Sequence, residues 1–145
     1  MSNFESARYY IVPAFPQQPD GPGVGVDLAV GGIERNVVFD GKFQVWNLVQ
    51  VGPGKYDIVA ETGWFSQASE GDNRGNVVVR ETSPSKAWSI TRLQDGNYVI
   101  AVDSPLFPNL VWTLVSQEPK AKVILQISEI ALPNQQWLIK PVLDD

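Results

Sequence analysis

The sequence contains no cysteine and no histidine. Without cysteine there is no disulfide framework, no thiolate nucleophile and no thiolate metal site. Without histidine the usual proton shuttle near neutral pH and the commonest metal ligand are missing. Ser-His-Asp and Cys-His hydrolases are thereby excluded in their ordinary forms. No apolar run approaches the roughly twenty residues of a membrane span. The opening MSNFESARYY lacks the basic segment and apolar core of a secretory signal. Positive charge is scarce as well: 11 Lys and Arg against 16 Asp and Glu leave a net charge of −5. Cations scattered singly on an acidic chain give no electrostatic reason to seek nucleic acid or an anionic membrane. The expectation is a cytoplasmic protein with no nucleic-acid or membrane partner, no cofactor and no metal.

What is present is a repeated phrase. VWNLVQVGPGKYDIV starts at Val45 and AWSITRLQDGNYVIA at Ala87, forty-two residues apart. Each has Trp, then Leu or Ile two residues on, then Gly-x-Tyr-x-Ile, with Trp46 and Trp88 ten residues before Tyr56 and Tyr98. The intervening GPGK and QDGN carry the glycines that tight hairpin turns need. Val45, Asn47 and Val49 alternate with Trp46, Leu48 and Gln50, the period of a strand. A third copy is split across the chain: Trp137 and Ile139 in QQWLIKPV, Tyr9 and Ile11 in YYIVPA. Before each Trp comes a β-branched stretch, NVVF, NVVV or KVIL, and before that VGVDLAV, GWFSQAS or LVWTLVS. A length of 145 residues suits a single domain.

This pattern predicts an all-β chain: a β-trefoil of twelve strands in three pseudo-symmetric four-strand repeats, at about 7–51, 55–94 and 97–142. Trp46, Trp88 and Trp137 then fill a three-fold core. They account for the fold, so function is sought in the loops. The longest, FPQQPDGPGVG, spans residues 15–25 and is stiffened by Pro16, Pro19 and Pro22. Next are VGGIERN and SEGDNRGN, joining the second and third strands of the first two repeats. Glu70 and Asp72 read as solvated charges rather than an acid/base pair. DNRGN lacks the later ligands of a calcium loop, and PDGPGVG lacks the helix and Lys-Ser/Thr of a phosphate cradle. The chain reads as a binding protein, not an enzyme.

The segments EPKAKVIL, LPNQQWLIKPV and KAWSITRLQDGNYVI resemble fungal β-trefoil protease inhibitors, both the cospin-type serine protease inhibitors and the mycocypins. The resemblance implies a surface loop that occupies a protease cleft. In the cospin type it maps to Gly31, Gly32, Ile33, Glu34, Arg35 and Asn36, with Arg35 suited to a trypsin-like pocket and Asn36 the neighbouring alternative. PDGPGVGVD is similar to the mycocypin first loop and makes Pro22, Gly23, Val24 and Gly25 a possible second contact.

The alternative resemblance is to ricin-B-like mushroom lectins. Gln44-Val45-Trp46 and Gln135-Gln136-Trp137 are similar to their Gln-x-Trp repeat ending, and VDLAVGG to their Asp-containing segment. It implies a glycan partner in the first repeat, with Asp27 accepting sugar hydroxyls, Phe39 stacking on the sugar and Gln44 nearby. The leading expectation is a protease partner, with a fungal defence role, and the alternative is a glycan.

Overall fold

A computed structural model describes residues 7–14, 23–27, 34–42, 44–61, 65–70, 77–80, 87–102, 110–116, 118, 120–128 and 132–142. Among them are twelve strands: β1 Ala7–Pro13, β2 Val24–Val26, β3 Glu34–Phe39, β4 Val45–Gly52, β5 Lys55–Glu61, β6 Phe65–Glu70, β7 Val77–Arg80, β8 Trp88–Arg92, β9 Tyr98–Val102, β10 Leu110–Leu114, β11 Val123–Ile127 and β12 Trp137–Pro141. One 3-10 turn, Pro133–Gln135, precedes β12.

Six strands close a barrel. β1 pairs with β4, β4 with β5, β5 with β8, β8 with β9, β9 with β12, and β12 with β1. Closure leaves none of these six as a free sheet edge. The others form three hairpins, β2–β3, β6–β7 and β10–β11. These meet over the barrel: β3 pairs with β7, and Val38 bridges to Lys122 beside β11.

The repeated phrases occupy one register. Trp46 faces Ala60, Leu48 faces Ile58, and Gln50 faces Tyr56. Trp88 faces Val102, Ile90 faces Ile100, and Arg92 faces Tyr98. In the split copy Trp137 faces Pro13, Ile139 faces Ile11, and Pro141 faces Tyr9. Each turn is set by glycine: Gly54 at φ +70° after Pro53, and Gly96 at φ +91° after Asp95. Asp95 Oδ1 accepts from the Asn97 N–H at 3.0 Å, which fixes the second turn. On the barrel's outside, Arg8 of β1 reaches over β4 to Glu61 of β5, donating from Nε and an Nη at 2.8 Å each.

Inward-facing residues form one apolar cluster in which Trp46, Trp88 and Trp137 have no exposed surface. An indole of this kind withdraws on the order of 200 Å² from water, about 5 kcal/mol of apolar burial. Trp112, also fully buried, stands perpendicular to two of them, with centroids 5.5 Å from Trp88 and 6.0 Å from Trp137. It breaks the three-fold pattern. Trp112 faces Leu125 as Val24 faces Phe39, so a valine holds the corresponding place in the first repeat.

Two core indoles fasten the hairpins to the barrel. Trp46 Nε1 donates to the Val24 carbonyl at 2.9 Å, and Trp137 Nε1 donates to the Trp112 carbonyl at 3.1 Å. Those carbonyls belong to matching positions of β2 and β10. Trp112 Nε1, by contrast, has no hydrogen-bond partner among the described residues.

This asymmetry orders the effect of Trp→Phe changes. Trp46→Phe and Trp137→Phe each strand a buried carbonyl and are expected to cost about 1–3 kcal/mol more than Trp112→Phe. Urea unfolding followed by far-ultraviolet circular dichroism measures this directly. Equal losses at all three sites would show that ring volume alone matters.

Candidate functional site

The first repeat departs from the other described hairpins just after β3. Asp40 takes a left-handed backbone, φ +56°, and turns the chain across β2. Its N–H donates to the Gly23 carbonyl at 2.9 Å. Gly41 then passes over Gly25, and Lys42 docks on the edge of β2 that β3 leaves open. There Lys42 N–H donates to the Val26 carbonyl at 2.9 Å, and Val26 N–H donates to the Lys42 carbonyl. Gln44 locks the crossing. Its Oε1 accepts from Gly23 N–H at 3.1 Å, while Nε2 donates to the Gly41 carbonyl at 3.0 Å and to Asp40 Oδ1 at 3.4 Å.

Only glycine fits at the crossing point. A Cβ on Gly25 would lie 2.3 Å from the Lys42 carbonyl oxygen and 2.9 Å from the Gly41 carbonyl carbon. A Cβ on Gly41 would lie 2.8 Å from the Gly25 carbonyl carbon and 2.9 Å from Val38 Cγ2. These glycines serve close backbone approach. Beneath the crossing Val38 is buried.

Immediately beyond it lie Asp27 and Asn36. Asp27 N–H donates to the Asn36 carbonyl at 3.0 Å, continuing the β2–β3 ladder by one residue. Paired residues of neighbouring strands share a face, so the two side chains stand side by side, both partly exposed. Phe39 does not join them. It pairs with Val24, three residues or about 10 Å along the strand. Alternation turns it with Val37 toward the core cluster, against which it packs. The expected stacking partner of Asp27 is therefore a core residue, and the residue beside Asp27 is Asn36. Gln44, expected near a sugar, spends its amide on the crossing.

Neither expected protease contact is an open loop where it is described. Glu34, Arg35 and Asn36 are strand, paired with Arg80, Val79 and Val78 of β7. A substrate-like segment needs a free backbone edge to add to the protease, and β7 holds this one. The strand begins two residues earlier than NVVF suggested. Gly31, Gly32 and Ile33 lie outside the described residues, as does Pro22. Gly23, Val24 and Gly25 are buried, the glycines facing Ile11 and the Gly41–Lys42 backbone instead of a protease.

No family model matches the sequence, and no curated protein matches it at a significant level. Solved structures do. The designed three-fold symmetric protein ThreeFoil superposes with a TM-score of 0.74 at 24% identity, over 93% of this chain and 99% of its own. The fold is a β-trefoil. A ricin B-like lectin from Macrolepiota procera, solved in complex with lactose, gives a TM-score of 0.69 at 16% identity, over 98% of this chain and 100% of the lectin. A mosquitocidal holotoxin gives a TM-score of 0.78 at 20% identity, over 99% of this chain, which spans 18% of the toxin's length.

Within the trefoil the third repeat supplies an internal comparison. Val115 N–H donates to the Lys122 carbonyl at 3.3 Å, so Val115 and Lys122 stand where Asp27 and Asn36 stand in the first repeat. Thr113 replaces Gly25. Gln135 Nε2 donates to Thr113 Oγ1 at 3.3 Å, and its Oε1 accepts from Leu132 N–H at 3.2 Å. Both Gln-x-Trp glutamines are thus braces, one across a backbone crossing and one onto a hydroxyl. The second repeat's corresponding residues, Gly71 and Asn76, lie outside the described residues.

The Asp27–Asn36 pairing and the crossing are not among the expectations from the sequence. The Asp40-Gly41 pair was the available signal, a turn dipeptide directly after a strand. Gly25→Ala is expected to destabilise the protein by about 1–3 kcal/mol, the usual cost of overpacking, because backbone atoms cannot swing aside. Gly54→Ala, at an open turn with nothing within 4 Å but with φ +70°, provides a comparison governed by backbone strain alone. Chemical denaturation of the two variants beside the parent checks this. No loss in Gly25→Ala would mean that the crossing yields freely.

Proposed function

We propose that the protein is a carbohydrate-binding β-trefoil, a binding protein and not an enzyme, with a saccharide site on Asp27 and Asn36 of the first repeat. The observation that carries this reading is the paired, partly exposed carboxylate and carboxamide on neighbouring strands, next to the Gly25–Gly41 crossing. The third repeat has Val115 and Lys122 in those places and lacks the arrangement. The likeness to a lectin solved with lactose supports the reading.

The chemistry suits a sugar. An ionised carboxylate is an acceptor with two oxygens and takes hydrogens from neighbouring hydroxyl groups of one ring. A carboxamide both donates and accepts, so Asn36 complements hydroxyls of either sense. Hydrogen bonds to a charged group contribute about 1.5–3 kcal/mol each. The crossing bonds both backbone groups of Val26, the residue before Asp27.

Asp27→Ala is expected to lower affinity about tenfold to a hundredfold for any saccharide the parent captures on a glycan array. Phe39→Ala is expected to act differently: lower stability, because the ring packs on the core, with affinity of the folded protein retained. Titration is expected to saturate at one saccharide per chain. The same preparation tested against a trypsin-like protease separates this reading from protease inhibition. Inhibition with no saccharide retained would overturn the carbohydrate reading.

A further inference from the structure

The crossing is costly to build, requiring two glycines in mutual contact and a left-handed aspartate, yet the third repeat closes without it. There Thr113 carries a side chain where Gly25 has none, and Thr113 Oγ1 donates to the Val111 carbonyl at 3.1 Å. There the Leu114 carbonyl, in the place of Val26, accepts from Asn134 Nδ2 at 3.2 Å, so this edge can be satisfied without a backbone crossing. The crossing occurs beside Asp27, which points to a role in the site.

We propose that Gly41 and Gln44 are positioning residues of the saccharide site, holding Asp27 in place without contacting the ligand; this rests on the carbohydrate reading. Val26, one residue before Asp27, has both backbone groups bonded to Lys42. Asp27 N–H is in turn bonded to Asn36 on the opposite edge. The backbone that carries the carboxylate is thus gripped from two sides, and a short side chain inherits that order. Gly41 lets the second grip form, since any Cβ there would lift the chain off Gly25. Gln44 fastens it from both ends, at Gly23 and at Gly41. A pre-ordered carboxylate loses less entropy when a sugar binds.

The test uses full-length parent, Gly41→Ala, Gln44→Met and Gln135→Met. The last removes the matching brace from the third repeat. Each is measured for retention on immobilised β-galactosides, N-acetylhexosamines, mannosides and fucosides, for melting temperature, and for amide hydrogen exchange at Val26 and Asp27 without sugar. Gly41→Ala and Gln44→Met are expected to speed exchange at those two amides and to weaken saccharide retention at least tenfold. Gln135→Met is expected to lower the melting temperature while leaving retention by the folded protein unchanged. That contrast distinguishes positioning from general stability. Should Gly41→Ala fail to fold, Gln44→Met decides alone, since it introduces no clash. Faster exchange with unchanged retention overturns the positioning role, as does equal loss of retention in Gln135→Met. A parent that retains no saccharide overturns the carbohydrate reading and this inference with it.

Discussion

A single buried hydrogen bond, made twice among the described residues, joins the two halves of the architecture. The indole N–H of Trp46 reaches the Val24 carbonyl, and that of Trp137 reaches the Trp112 carbonyl. Each indole comes from a barrel strand and each carbonyl from a hairpin above it. Burial makes the arrangement demanding, because neither group has water to fall back on. A strand that carries the indole must therefore stand at a fixed height below the hairpin that carries the acceptor. The hairpin's two strands, and what stands on their outer faces, inherit that height. Asp27 lies three residues from the acceptor carbonyl of Val24, so core geometry reaches the candidate site through one short strand.

Three-fold repetition constrains the barrel much more tightly than the hairpins. Trp, Leu or Ile, and Tyr or its counterpart recur in matched register in all three corners. In the hairpins the matching positions differ: Val24 against Trp112, Gly25 against Thr113, Asp27 against Val115. A barrel must close, so its registers have to agree with one another. A hairpin laid over the end of that barrel answers only to its immediate neighbours. Its residues are released to diverge, which is where one repeat acquires chemistry that another lacks.

The barrel was legible because its signal is both periodic and repeated. Trp46 with Tyr56 and Trp88 with Tyr98 show the phrase, and Trp137 with Tyr9 shows that it closes on itself. The site was half legible. Asp27 was found from its segment, but its neighbour was not, because adjacency across strands depends on register. A shift from Asn36 to Phe39 moves the partner about 10 Å and reverses the face it presents. The Gly23–Gly25 stretch misled for a related reason. Glycine and proline in sequence mark a backbone free of side-chain restraint, which describes an exposed loop and a buried crossing equally well. Only the path of residues 40–42 tells them apart.

The meeting of β1 with β12 has a consequence in time. The two strands pair over five residues yet are separated by more than a hundred positions along the chain. During synthesis from the N-terminus, β1 can find β4 early and β12 only after the other barrel strands have been made. For that interval one edge of β1 stands open to any other strand, the circumstance that invites pairing between chains. On that edge the Arg8 carbonyl and the Ala14 N–H, which the closed barrel gives to the Val142 N–H and the Gln136 carbonyl, wait for the last strand of the barrel to arrive.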